Sequence, residues 1–416
     1  MGGCKEMDKI VEEEGNVKEE DLQVEDLYEK PDENVEREIL ESVKVKTDKE
    51  EKPLDLDKMT EEEQAHVLYS ELSSFLQKKT DIKPDTGVKF TIPTGIQVLD
   101  AILGGGFAIG SLNIIVGQPG SGKSMLAIQA MGNGQRVYKG KLIAAFLDSE
   151  EATTSIRMSN LGVRNPKITP YSDMTVEKVF KFIEGVCLFK EEKGLVDVPS
   201  MIIWDSIANT LSQKEREVDD INSVIGYKAR VLSVLIPKYV AKCAKYNISL
   251  LTVNQLRDVI QLGQFPVAKE LRFMTTGKEM PGGNVLRFNA FQLVELKTKG
   301  VLDKDKYGFD GILVSAKTVK NKLFAPNVTV SLVGNFRTGF SNFWSNYHFL
   351  METKRLQTGP WNYLISLPDK KFRTKDSLSL YSTDSKFKEV FDKEVEDAIK
   401  VDIIEKYNKE VEGDPI

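Results

Sequence analysis

The chain has little cysteine and less histidine: three of the first and two of the second in 416 residues. Cys4, Cys187 and Cys243 are odd in number and widely spaced, with only His66 and His348 beside them, which excludes a disulfide framework and a zinc site. A reducing, cytoplasmic setting is the expectation. No apolar run approaches the roughly 18 residues that span a bilayer, so no membrane partner is expected. Nothing near the start looks like a secretory signal. Met1-Gly2-Gly3-Cys4 has a superficial likeness to a myristoylation start, but the sixth residue is Glu6 rather than Ser or Thr, and the segment is expected to be a plain N-terminus. There is no internal repeat.

Basic charge is scarce at one end. Residues 1–80 hold 25 Asp and Glu against 12 Lys and Arg, net −13, so the other 336 residues carry +7 of an overall −6. From Met1 to about Asp57 there is little apolar periodicity and much Glu, Asp and Lys, a composition that cannot bury enough surface to order itself. Residues 1–57 are expected to be an acidic, disordered arm; a solvated tail with no specific role is the plain reading of it. At Thr60 the pattern changes. Thr60-x-x-Glu63 is a capping box, after which Val67, Leu68, Leu72, Phe75 and Leu76 fall on one helical face. That lone amphipathic helix, with a linker to residue 87, must dock on its own core or on a neighbouring subunit.

Apolar residues make up 41% of the chain, enough for a sizeable core. From about Val88, strand-like runs alternate with helical stretches, the sign of an α/β domain with a twisted, mostly parallel sheet. Strands are predicted over 112–116, 142–148, 200–205, 248–254, 291–297, 311–318 and 328–332. Around Phe336 the sequence becomes aromatic and Gly-punctuated, with Trp344, Tyr347, Trp361 and Tyr363, followed by a helical pattern over Tyr381–Lys406. The domains expected are thus a core over 88–335 and a small C-terminal α+β domain over 336–416.

Residues Gly117-Gln118-Pro119-Gly120-Ser121-Gly122-Lys123-Ser124 complete a G-x-x-x-x-G-K-[ST] loop between a strand and a helix. Backbone amides there can wrap a β-phosphate, Lys123 can reach the β- and γ-phosphates, and the Ser124 hydroxyl can ligate Mg²⁺. The chain is expected to bind a nucleoside triphosphate. Ser200–Asp205 is an apolar strand ending in an acid suited to the Mg²⁺ shell, and Leu147–Glu150 ends in Glu150, a candidate general base for an attacking water. A solvated strand-end carboxylate is the plain alternative for each acid; two in this order after a phosphate loop argue against it. Since ligands of open α/β sheets gather at the carboxyl ends of strands, Glu150, Asp205 and Gln255 should converge near the loop.

Together with its entry, Ile92-Pro-Thr-Gly-Ile-Gln-Val-Leu-Asp100-Ala-Ile-Leu-Gly-Gly-Gly106, this sequence resembles the RecA-fold ATPases. Three later motifs are more selective and resemble the RecA-family recombinases, of the phage strand-exchange type. Val253-Asn254-Gln255-Leu256-Arg257 is similar to the segment whose Gln senses the γ-phosphate and opens the second DNA-binding loop. Pro281-Gly282-Gly283-Asn284-Val-Leu-Arg-Phe288 is similar to the start of the helix that closes that loop. Lys317-Thr-Val-Lys320-Asn-Lys322-Leu-Phe-Ala-Pro326 is similar to the segment whose two lysines reach the ATP of the adjacent protomer. The likeness covers about residues 88–335. It implies a RecA-like P-loop core, ATP and Mg²⁺ as cofactors, and catalytic roles for Lys123, Glu150, Gln255, Lys320 and Lys322. Its implied partners are single-stranded DNA, a homologous duplex, further copies of the chain in a helical filament, and a single-strand-binding protein and loader.

Lys320 and Lys322 lie two apart, so on a strand both point to one face, where exposed ammonium groups can neutralise developing phosphate charge. Two segments are expected to face DNA, Gln213–Gly226 and Arg257–Pro281, both charged, without core periodicity, and mobile until DNA orders them. The second carries Arg257, Lys269, Arg272 and Lys278 with Phe265 and Phe273 among them, then Gly282 and Gly283: cations for phosphates, apolar groups for bases. A polar surface loop with inward aromatics is the plain alternative. The first is more acidic, and only Lys214 or Arg216 is suited to phosphate. Two departures from the family stand out: Arg157 where an adenine-stacking Tyr is usual, with Phe336 as a candidate helper, and the acidic arm at the N-terminal end. A RecA-fold assembly regulator or a ring helicase, without strand exchange, is the alternative function.

Overall fold

The computed structural model describes residues 60, 67, 90–151, 153–164, 174–218, 226–258 and 278–407, with 257–258 and 278–279 as backbone alone. The arm expected over 1–57 lies outside the described residues, as do the docking helix and linker apart from Thr60 and Val67. The chain divides into two units, Met1–Gly87 and Val88–Ile416, and every element below belongs to the second.

Eight strands form the central sheet: β1 Ser111–Gly117, β2 Ile143–Asp148, β3 Ser200–Asp205, β4 Ile248–Gln255, β5 Gln292–Val301, β6 Gly311–Asn321, β7 Thr329–Asn335 and β8 Gly339–Ser341. Their order is β8-β7-β6-β5-β1-β4-β3-β2. The five strands from β5 to β2 run parallel, and β6, β7 and β8 extend the sheet antiparallel. All seven strands expected from sequence are present. Parallel strands are covered on both faces, which is why β1 and β3 are buried along their whole length, and why Met201–Trp204 of β3 reads as a continuous apolar run.

Nine helices matter to the argument: α1 Gln97–Leu103, α2 Lys123–Val137, α3 Ser155–Asn160, α4 Val176–Glu192, α5 Gln213–Glu217, α6 Tyr227–Lys245, α7 Asn284–Asn289, α8 Asn342–Glu352 and α9 Ser385–Ile399. Alternate strand residues face opposite cores. Ile115, Phe146, Met201, Ile203 and Leu251 pack with α1, α2, α8 and α9, while Ile114, Val116, Ile202, Trp204 and Leu250 pack with α4 and α6. The border expected at 336 falls in the turn between the paired strands β7 and β8, and Ser345 of α8 accepts a hydrogen bond from Val333 of β7.

One buried lysine ties three elements of the second core. Lys190, near the end of α4, donates to Val198 O at 2.7 Å, to Ser200 Oγ at 2.9 Å, and to Tyr246 O beyond α6. No candidate membrane-spanning helix occurs among the described residues.

Candidate nucleotide and nucleic-acid site

Strand register builds the site before any side chain is considered. Gly117 at the end of β1 pairs with Gln255 at the end of β4, and Asp205 at the end of β3 pairs with Val253 on one side and Asp148 on the other. Four strand ends therefore finish in one row. The phosphate loop leaves β1 there, and the tight turn requires glycine: a Cβ on Gly117 would lie 2.4 Å from Leu296 O and 2.6 Å from Ser121 Oγ. Gly122 then starts α2, whose first residue is Lys123.

Lys123 is buried, and its ammonium donates to Gln118 O at 2.9 Å, across its own loop. Burial lowers its pKa, while Asp205 and Glu150 raise it in part. Ser121 Oγ is buried with no hydrogen-bond partner among the described residues, an orphaned donor in a cradle of backbone amides at a helix start. Burial, assisted by the nearby Glu150 and Asp148, pushes Asp205 up to about 6, against the opposing pull of the Ser124 hydroxyl and the Lys123 ammonium. Three carboxylates beside one buried lysine lack positive charge. Ser124 and Asp205 thus fit a Mg²⁺ ion, which binds through few protein ligands and keeps several waters.

Glu150 is held by its own segment and by its neighbours. Asp148 accepts from Glu150 N at 3.0 Å and from Thr153 N at 2.9 Å, which shapes the turn after β2. Three donors reach Glu150 Oε1: Ser206 Oγ at 3.0 Å, Asn209 Nδ2 at 2.6 Å and Gln255 Nε2 at 3.4 Å. Lys123, Glu150, Asp205 and Gln255 converge as the strand ends required. Sequence reasoning missed Asp148, Ser206 and Asn209; Asp148 carried a signal, as a second acid at a strand end.

Arg157 stands exposed on α3, seven residues past Glu150, and Phe336 is half exposed after β7. Neither side chain has a hydrogen bond or ion pair to the phosphate loop among the described residues.

Two expectations are corrected. Lys320 is not exposed beside Lys322: it is half-buried, and its ammonium donates to the C-terminal carbonyls of α7, Arg287 O at 3.0 Å and Phe288 O at 2.8 Å. A lysine there complements the negative end of the helix. Burial lowers its pKa, assisted by Lys322 and Arg287. Lys322, just past β6, is exposed and lies 5.6 Å from the Phe291 ring centre. The first segment expected to face DNA also begins as a capped helix: Ser212 and Glu215 form a reciprocal capping box on α5, and Lys214 sits 5.2 Å from the ring centre of Tyr227. A five-residue helix is too short to show a period.

The second segment is closed at its base by a two-residue antiparallel ladder, Arg257 opposite Glu279 and Asp258 opposite Lys278. Phe265, Lys269, Arg272 and Phe273 lie outside the described residues. Gly282 has φ +100°, and a Cβ there would lie 2.6 Å from Leu286 Cδ1, so the turn into α7 needs glycine. Gly283 follows with φ 78°.

The RecA N-terminal domain family matches residues 77–341, which contain every one of these elements from the phosphate loop to β8. The chain belongs to the RecA family. It is 34% identical over 236 residues to Protein RecA of Desulforapulum autotrophicum, covering 56% of this chain and 62% of that protein. It is 30% identical over 236 residues to Protein RecA of Thermus aquaticus, covering 56% of this chain and 64% of the relative. The chain thus spans less than two thirds of the length of these RecA proteins.

Proposed function

We propose that the chain is a DNA-dependent ATPase that forms helical filaments on single-stranded DNA and pairs that strand with a homologous duplex, in the manner of a phage-type recombinase. The observation that carries this reading is the convergence on one carboxylate: Glu150 Oε1 is met by Gln255, which leads into the second DNA-facing segment, and by the turn that leads into the first. A chain that only switched partners on ATP would not need its candidate base joined to both. The relatives named RecA support the recombinase class, and the ATP, Mg²⁺ and DNA assignments rest on that likeness together with the site.

In this reading the amides of residues 117–124 and Lys123 hold the phosphates, and Ser124 and Asp205 hold Mg²⁺, which neutralises phosphate charge when bound. Glu150 takes the proton of the attacking water, Gln255 links the site to the second segment, and Lys322 reaches an adjacent copy of the site. Arg157 can stack on the base, as a guanidinium does on an aromatic face. Arg257, Lys269, Arg272 and Lys278 track phosphates, and Phe265 and Phe273 contact bases. The host cytoplasm, a single-strand-binding protein and a loader complete the proposal.

Glu150→Gln tests it. The variant should bind ATP and single-stranded DNA while hydrolysis falls by about 10²-fold or more, the scale of a general base, and electron microscopy should show filaments whose length follows the DNA. Persisting hydrolysis would remove Glu150 from the role; rings of fixed subunit number would favour the regulator or helicase reading.

A further inference from the structure

Asn209 is exposed on the turn that follows β3, and its side-chain amide gives Glu150 the shortest of its three hydrogen bonds, 2.6 Å to Oε1. The turn does not need that side chain for its own shape. Its backbone is closed by Asn209 N and Thr210 N, both donating to Ser206 O, and by Ile207 N donating to Val253 O. Thr210 Oγ1 donates to Ser206 O at 2.8 Å and accepts from Trp204 Nε1 at 2.7 Å. The amide of Asn209 is thus held in place by others and spent on Glu150.

A carboxylate oxygen has two lone pairs, so three donors saturate Oε1. No donor reaches Oε2 among the described residues. The arrangement fixes which oxygen is left to meet a water and where it points. Preorganisation of this kind governs whether a base sits within reach of the proton it must take.

The same turn is where both nucleic-acid-facing segments are rooted. On the near side, Thr210 and Ser212 lead directly into α5, the start of the first segment. On its far side, Lys228 at the start of α6 donates to Ala208 O at 3.1 Å. Ile207 Cγ2 lies 3.5 Å from where a Cβ on Gly282 would stand, at the closing end of the second segment. The first segment, joined to this turn at both its ends, therefore carries Asn209 with it when it shifts, while the second meets the turn at Ile207.

We propose that Asn209 is a positioning residue that orients the Glu150 carboxylate and transmits the state of the first nucleic-acid-facing segment to it. The inference rests on Glu150 as general base. Gln255 links the base to the second segment; Asn209 is a separate link, from the first.

The test compares Asn209→Asp, Asn209→Ala and Asn209→Gln with the native chain and with Glu150→Gln, measuring kcat and KM for ATP with and without single-stranded DNA. Asp has the shape of Asn but offers an acceptor in place of the donor, and the site is exposed, so the fold tolerates it. Asp and Ala should lower kcat about tenfold, the scale of a hydrogen bond to a charged group, with KM unchanged. Gln, which keeps the amide, should restore most of the rate. The stimulation by DNA should shrink in the same two variants that lose the donor.

Native kcat in Asn209→Asp, with Glu150→Gln inactive, would overturn the role of Asn209 and leave Glu150 as the base. Unchanged DNA stimulation in variants with lowered kcat would overturn the coupling. Equal losses in kcat and KM for all three substitutions, Gln included, would make Asn209 a part of the turn and overturn the proposal. Hydrolysis surviving Glu150→Gln would instead remove the reading on which it rests.

Discussion

Lys190 has no exposed surface and no carboxylate among its hydrogen-bond partners; two carbonyls and a hydroxyl take its three N–H donors. Burial lowers its pKa to about 8 from an ordinary 10.5. Between those values the unfolded chain holds more protons than the folded one, so this residue's contribution to stability rises with pH across that interval. Lys190→Met should leave three acceptors unpaired, two of them buried, and destabilise the core by about 2–3 kcal/mol near neutral pH. Urea unfolding at a series of pH values checks both parts: the variant should also lose the upward slope above about pH 8. An identical slope in both proteins would mean that another group titrates there. The same competition acts on Asp205 in the opposite sense, because burial disfavours a carboxylate as it disfavours an ammonium, and there a metal ion rather than a carbonyl is suited to offset it.

Elements decide what could be read in advance. The parallel strands were legible because each holds an apolar stretch long enough to be recognised, with β2, β3 and β4 ending in a polar residue, and a P-loop between β1 and α2 fixes its own geometry. Antiparallel β6 and β7 were legible by the same runs, although nothing in them told the direction. What escaped were contacts between residues distant in sequence. Asn209 is 59 residues from Glu150, and Lys320 is 32 from Phe288; no local period encodes either meeting. Lys320 also follows a shift of register between Thr318 and itself against β5, which leaves Thr318 and Val319 both buried. These facts reshape the test for a lysine acting in the neighbouring protomer. Lys320→Ala would strip a cap from α7, costing about 0.3–1 kcal/mol, and confound the result. Lys322→Ala is the cleaner change. Alone it should leave the fold intact and uncouple ATP from assembly, and mixed with Lys123→Ala it should recover part of the hydrolysis, since each variant still carries the half-site the other lacks. Mixtures that stay inert despite verified co-assembly would count against action across the interface.

At the scale of the whole molecule the charge is divided, with net −13 on residues 1–80 and +7 on the rest. A tethered acidic segment is held at high effective concentration beside any phosphate-binding surface, and such competition weakens as salt screens it. Removing residues 1–57, while keeping the helical pattern from Thr60, should tighten binding to single-stranded and duplex DNA most at low ionic strength, as fluorescence anisotropy titrations would read. Equal affinities with and without the arm at low and high salt would leave it a solvated tail or a segment for some other partner. The claim on which the account turns is that nucleotide chemistry and DNA meet at Glu150. The rate of ATP hydrolysis by the full chain with Mg²⁺, measured with and without single-stranded DNA, tests it most directly. The account predicts a several-fold rise on adding DNA that disappears in Glu150→Gln; a rate indifferent to DNA would contradict it.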